Sequence, residues 1–239
     1  MLYHIFTDDP DIWSFDDLTK NMEKFGNAVS SDSPVGTGLY LDGSGGTYVQ
    51  IKQHNENCLQ HPSSCDISVG FYIKIYHKSG SQLIFGNHGM PNNRTIIYEG
   101  VNIFYDNDRI YMYVYGQKKY CQTSFHPPLG VWFYLGLVWE KAGKLALKVD
   151  WWFTYRDKRN CGDSPVGLLK NRDYFLGKET FPVAYYRDLT IWYSKQSSSV
   201  LQEKWAVAFR KYLPPRKCSF EVYKIDDDYK HDLCKFAKF

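Results

Sequence analysis

Apolar and polar residues alternate with a period of two along most of this chain, the pattern of strands that bury one face. Phe71, Ile73 and Ile75 alternate with Tyr72, Lys74 and Tyr76. Ile110, Met112 and Val114 alternate with Tyr111, Tyr113 and Tyr115. Leu145, Leu147, Val149, Trp151 and Phe153 alternate with Ala146, Lys148, Asp150, Trp152 and Thr154. Further short strands are predicted near Gly38–Leu41, Thr47–Ile51, Gln82–Phe85, Thr95–Tyr98, Val101–Tyr105, Tyr120–Ser124, Val131–Trp139, Tyr174–Leu176 and Tyr186–Tyr193. Turn residues separate them at Gly43-Ser44-Gly45-Gly46, Lys78-Ser79-Gly80, Asp106-Asn107-Asp108 and Lys141-Ala142-Gly143. Strands at this spacing predict an all-β fold, a two-sheet antiparallel jelly-roll sandwich.

One helix is predicted after the last strand. Ser199 is placed to cap it, with Gln202 as its capping-box partner. Leu201, Trp205, Ala208 and Tyr212 then line one face, which predicts a helix laid across the sandwich by that stripe. Pro214-Pro215 ends it, because proline cannot continue the hydrogen-bond ladder. With no internal repeat and no low-complexity linker, the chain reads as one domain over residues 1–213 and a tail over 214–239.

Composition narrows the class. The chain has 239 residues, 44% of them hydrophobic, enough for a sizeable core and too apolar for a disordered segment. Twenty Tyr and 15 Phe against 4 Met favour pleated surfaces, on which rings pack well. A balance of 29 Lys+Arg against 26 Asp+Glu, net +3, gives no basic surplus for nucleic acid. The longest stretch without a charged residue, Tyr120 to Trp139, holds Gln122, Thr123, Ser124, His126 and two prolines, so it is no spanning helix and no membrane insertion is expected.

The six cysteines, Cys58, Cys65, Cys121, Cys161, Cys218 and Cys234, contain no C-x-x-C and no zinc-like spacing with histidines. An even count fits either three disulfides in an oxidising compartment or six reduced core thiols. The disulfide reading is preferred. Cys58 and Cys65 enclose turn residues, while Cys218 and Cys234 bracket a tail that would fray unless tied down. Asn93-Arg94-Thr95 is the one N-glycosylation acceptor, in a polar loop. Met1–Phe6 lacks the basic start and apolar core of a signal peptide, so an extracellular chain would be a processed product or a piece of something longer.

Several segments together resemble a known family. Leu39-Tyr40-Leu41-Asp42-Gly43 leading into Gly46-Thr47-Tyr48-Val49 is similar to the opening hairpin of laminin-G/pentraxin-like domains, jelly rolls of the concanavalin A-like superfamily. Cys58 to Cys65 followed by Gly70-Phe71-Tyr72-Ile73-Lys74 resembles a small disulfide loop before a central strand in extracellular members. Gly130 to Trp139 resembles their Trp-x-x-Leu-x-x-Val-Trp strand, and Gly143-Lys144-Leu145-Ala146-Leu147 the hairpin after it. Tyr186 to Tyr193 and the helix after Ser199 resemble the closing strand and helix. Where the family carries Asn-Gly after the hairpin strand, this chain has Asp150-Trp151-Trp152, which changes the turn. The resemblance spans residues 12–213 and implies a Cys58–Cys65 disulfide. Cys121 is then paired with Cys161 by elimination, and Cys218 with Cys234 by proximity.

No catalytic set is legible. Glycan-cleaving jelly rolls need carboxylates converging across a cleft, and no acids recur here at i, i+2 and i+4. The chain has no G-x-S-x-G, Walker A or H-E-x-x-H motif. His61 and His126 each precede a proline and read as surface loop residues without a fixed acid partner. Calcium, used by some relatives of the resembled family, has one candidate run in Asp106-Asn107-Asp108, but Asp and Asn are ordinary turn residues and no cofactor or metal is assigned. Arg156-Asp157-Lys158-Arg159 reads as a solvated basic loop, one that a sulfated glycan would fit.

The tyrosine row is the feature to follow. With Ile110, Met112 and Val114 in the core, Tyr111, Tyr113 and Tyr115 line the opposite face. Tyrosine suits stacking on sugars or anchoring a protein. The plainer alternative is that the register is reversed, or that the rings pack under the terminal helix or tail. The expectation is a non-enzymatic extracellular or cell-surface recognition module that binds a glycan or protein, as part of an adhesion, matrix or receptor protein. The competing expectation is an assembly domain that packs against neighbouring chains through its tail and binds no soluble ligand.

Overall fold

The computed structural model describes residues 11–13, 22–33, 36–44, 46–52, 58–59, 61–76, 82–87, 99–116, 119–150, 154–163, 173–177, 184–197 and 200–201. They form sixteen strands: β1 (Asp11–Trp13), β2 (Met22–Phe25), β3 (Val29–Ser33), β4 (Gly36–Leu41), β5 (Tyr48–Ile51), β6 (Ile67–Ile75), β7 (Gln82–Gly86), β8 (Gly100–Asp106), β9 (Arg109–Tyr115), β10 (Lys119–Phe125), β11 (Phe133–Glu140), β12 (Lys144–Asp150), β13 (Thr154–Asn160), β14 (Gly162–Asp163), β15 (Tyr174–Leu176) and β16 (Ala184–Trp192).

Two eight-stranded antiparallel sheets face each other. The β6 sheet runs β13-β12-β11-β6-β16-β4-β3, with β1 paired to the far end of β16. The β9 sheet runs β14-β10-β9-β8-β7-β15-β5-β2. The chain changes sheet repeatedly, and β16, the last strand among the described residues, inserts between β4 and β6. This is the two-sheet antiparallel sandwich the alternation predicts.

Alternation decides what fills the space between the sheets. Phe71, Ile73 and Ile75 of β6, Phe133, Leu135, Leu137 and Trp139 of β11, and Leu145, Leu147 and Val149 of β12 pack into one core with Ile110, Met112 and Val114 of β9. Rings cross the interface directly, as where Phe71 meets Phe85 of β7 with centroids 6.4 Å apart. Turn chemistry fixes the hairpins. Asn107 and Asp108 take φ of 45° and 68°, giving the two-residue turn whose twist matches the β8–β9 ladder. In the three-residue β11–β12 turn, Gly143 supplies a φ of 89°, and its N–H donates to the Glu140 carbonyl at 2.7 Å.

One expectation needs correction. Arg156 to Arg159 is not a loop but lies within β13, an edge strand paired along its length with β12. Ser199, expected to cap the helix, lies outside the described residues; the Val200 N–H donates to Ser197 Oγ at 3.3 Å. Of the helix, Val200 and Leu201 are described, and Leu201 packs with Tyr72, Tyr134, Val138 and Trp192 on the outer face of the β6 sheet. The strand expected at Thr95–Tyr98, the glycosylation acceptor Asn93, and the tail with Cys218 and Cys234 lie outside the described residues.

Candidate functional site

The β9 register turns Tyr111, Tyr113 and Tyr115 away from the core, as their partners Ile110, Met112 and Val114 enter it. Across the strand pair, Tyr120 of β10 sits opposite Tyr115. The four rings stand in one stack: Tyr111–Tyr113 centroids are 6.3 Å apart, Tyr113–Tyr115 6.0 Å and Tyr115–Tyr120 5.0 Å, with interplanar angles of 17°, 7° and 17°. Leu83, Phe104 and Phe175 flank them. The two middle rings are closed in, Tyr113 being 8% and Tyr115 5% exposed, whereas Tyr111 and Tyr120 at the ends are half-buried. Burial, then the neighbouring Tyr120, pushes the Tyr113 hydroxyl up to about 12, and the same causes raise Tyr115 further. Ring faces in this stack are turned toward one another, so a ligand meets mainly the two ends, Tyr111 and Tyr120.

The cysteine loop is a second organised region. Cys58 is bonded to Cys65, and Cys121 of β10 to Cys161, at the junction of β13 and β14. Each sheet sends one aromatic into the first loop. Trp139 Nε1 donates to the Pro62 carbonyl at 2.7 Å, and the Tyr174 hydroxyl donates to the Leu59 carbonyl at 2.7 Å while accepting the Val101 N–H at 3.0 Å. These bonds satisfy the polar tips of two fully buried side chains. His61, expected to have no acid partner, has one: its Nδ1 lies 3.0 Å from Oε2 of Glu99, a carboxylate only 1% exposed. Alternation has no means of finding this pair, because its members lie on different loops. The Ser64 hydroxyl donates to the His61 carbonyl at 2.6 Å, so the group works as a clasp on the loop.

His126 is also engaged. The tautomer with its proton on Nδ1 donates to the Asp108 carbonyl at 3.0 Å, and Nε2 accepts from Arg109 at 2.6 Å. The Asp106-Asn107-Asp108 run serves the hairpin, with Asn107 Nδ2 donating to Asp106 Oδ2 at 3.1 Å. Among the described residues no group of three or more His, Cys, Asp or Glu side chains converges as a metal cage would require. No helix among them is long and apolar enough to cross a membrane.

No protein family and no curated protein matches the chain in sequence. Solved structures do match in fold. The binding domain of botulinum neurotoxin serotype D superposes with a TM-score of 0.57 at 15% identity, over 80% of this chain and 46% of that one. The binding domain of botulinum neurotoxin DC, solved in complex with rat synaptotagmin II, gives 0.60 at 12% identity, over 78% and 46%. The serotype G binding domain gives 0.57 at 10% identity, also over 78% and 46%. The chain thus spans less than half the length of these domains, and at such identity the likeness is one of fold: the same kind of β-sandwich.

Proposed function

We propose that this chain is a non-catalytic recognition module of an extracellular or cell-surface protein, a laminin-G/pentraxin-like jelly roll that binds a glycan or a protein partner. The observation that carries the reading is the tyrosine stack of β9 and β10, a row of aromatic side chains on the outer face of the sheet, apart from the core between the sheets. Two disulfides suit an oxidising compartment. The fold is one on which solved proteins carry binding domains, which supports the reading by association alone.

Ring accessibility divides the work within the stack. Tyr111 and Tyr120 are the contact residues, and Tyr113 and Tyr115 hold them in place. The test screens the full chain on an array of neutral and acidic oligosaccharides and against a panel of secreted and cell-surface ectodomains. Tyr111→Ala and Tyr120→Ala are each expected to weaken the partner signal about tenfold with the melting temperature unchanged. Tyr113→Ala is expected to lower stability by about 3 kcal/mol, as removal of a buried ring does. Absence of any partner on both screens, or variants that bind as the parent does, counts against the reading.

A further inference from the structure

The outer face of the β6 sheet carries a second aromatic cluster, built from five separate segments and not apparent in the sequence. Its placement follows from register. Val29 of β3 lies opposite Tyr40 of β4, Tyr40 opposite Tyr185 of β16, and Tyr185 opposite Lys74 of β6. Leu39, Leu41, Ala184, Tyr186, Ile73 and Ile75 point into the core, so this cross-strand row points out. Trp132, just before β11, closes the row with its ring centroid 6.2 Å from that of Tyr185, and Tyr76 stands beside it at 5.6 Å. Val29 and Tyr76, 49% and 47% exposed, are the two large apolar side chains left exposed among the described residues, and both belong to this patch.

Geometry separates this cluster from the β9 stack. The Trp132–Tyr185 and Tyr76–Tyr185 pairs meet edge-on, at 61° and 64°. The Tyr40 ring lies across Tyr185, with centroids 4.7 Å apart at 40°, so Tyr76, 47% exposed, and the half-buried Trp132 are the rings this face offers to a ligand. Polar groups bracket the rings. Lys74 Nζ lies 4.7 Å from the centre of the Tyr76 ring. At the other end, two residues beyond Tyr40, the Asp42 carboxylate is held by Asn27 Nδ2 at 3.0 Å, the Ser44 N–H at 2.9 Å and the Ser44 hydroxyl at 2.8 Å.

We propose that this face is a saccharide-binding site, in which a pyranose ring lies against the exposed Tyr76 ring and the neighbouring Trp132 while Lys74 meets its oxygens. A pyranose presents polarised C–H bonds on one face and hydroxyls around its rim. An exposed aromatic ring carries the negative quadrupole that attracts the first, and the Lys74 ammonium supplies donors for the second. A protein partner would favour a wider apolar patch with charges depleted at its centre, whereas here Lys74 sits within the row. The inference rests on the reading of the chain as a recognition module but not on the β9 tyrosines.

The test uses the full chain on an array of neutral and acidic pyranose oligosaccharides, followed by calorimetric titration with the best-bound oligosaccharide. Trp132→Ala and Tyr76→Ala are each expected to reduce affinity about tenfold, and Lys74→Ala to reduce it and alter the preference among acidic sugars, with melting temperatures held in the Tyr76 and Lys74 variants. Tyr76→Phe, which keeps the ring, should retain binding. Glycan binding abolished by Tyr111→Ala but unmoved by Trp132→Ala and Tyr76→Ala overturns this site and leaves the recognition reading standing. Binding of an ectodomain but of no glycan does the same. Self-association lost in Val29→Lys and Tyr76→Lys, with no glycan bound, overturns it in favour of a second copy as the occupant.

Discussion

A single carboxylate shows how local hydrogen bonding becomes a stability term. Asp42 accepts from Asn27, then from the Ser44 backbone and side chain, and these bonds hold its carboxyl well below the ordinary 3.8. A depressed folded pKa contributes stability that is complete above the unfolded value and is lost as pH falls through and below it. Acid melts from pH about 5 downward are therefore expected to show the parent losing more stability than Asp42→Asn, so that their melting temperatures converge. Curves that stay parallel would show that the Asn27–Asp42–Ser44 bonds do not favour the charged form. The Glu99 carboxylate works on the same scale with the opposite exposure: it is shut in, with His61 on one oxygen, and so serves position rather than solubility.

At the scale of elements, β9 has two unlike faces. One is aliphatic and dry, the other a tyrosine row. The row has a consequence at alkaline pH. The Tyr113 hydroxyl and that of Tyr105 on β8 are each pushed up to about 12, by burial first, and Tyr115, Tyr174 and Tyr186 higher still. For an acid whose folded pKa is raised, the stabilisation is complete below the unfolded value near 10 and is lost as pH rises from there toward the folded value. Stability is therefore expected to fall above pH about 10, with a late class of tyrosines that ionises together with unfolding. Absorbance of tyrosinate against circular dichroism checks it: all 20 tyrosines titrating near 10 with the fold intact would mean that water reaches these rings. Legibility also varied by element. The strands that alternation missed include β2, β3, β13 and β14, which are the four sheet edges. An edge strand is held by ladder hydrogen bonds from its backbone and has apolar neighbours on one side only, so its sequence is freer to be polar, as Val-Ser-Ser-Asp-Ser of β3 is.

At the scale of the whole molecule, the two covalent links among the described residues act on different lengths of chain. Cys121–Cys161 closes 40 residues and ties β10 of one sheet to the end of β13 in the other, while Cys58–Cys65 closes 7. Chain entropy predicts that Cys121→Ala/Cys161→Ala costs about 4 kcal/mol and Cys58→Ala/Cys65→Ala about 2 kcal/mol. Urea melts of the two double variants check the order, and the reverse order would place the stabilisation in the loop clasp of Trp139, Tyr174 and His61. The sandwich, its central strands, the hairpin turns and the outward direction of Tyr111, Tyr113 and Tyr115 were determined by the sequence alone, because side-chain direction in a strand has a period of two and turn geometry is a property of a few adjacent residues. How far those rings are buried, which acid faces His61, and the meeting of Val29, Tyr40, Tyr185, Lys74 and Trp132 on one outer face were decided only by the tertiary structure. Each depends on the pairing register between segments far apart in the chain, and a one-residue slip would turn every side chain of a strand to the other face.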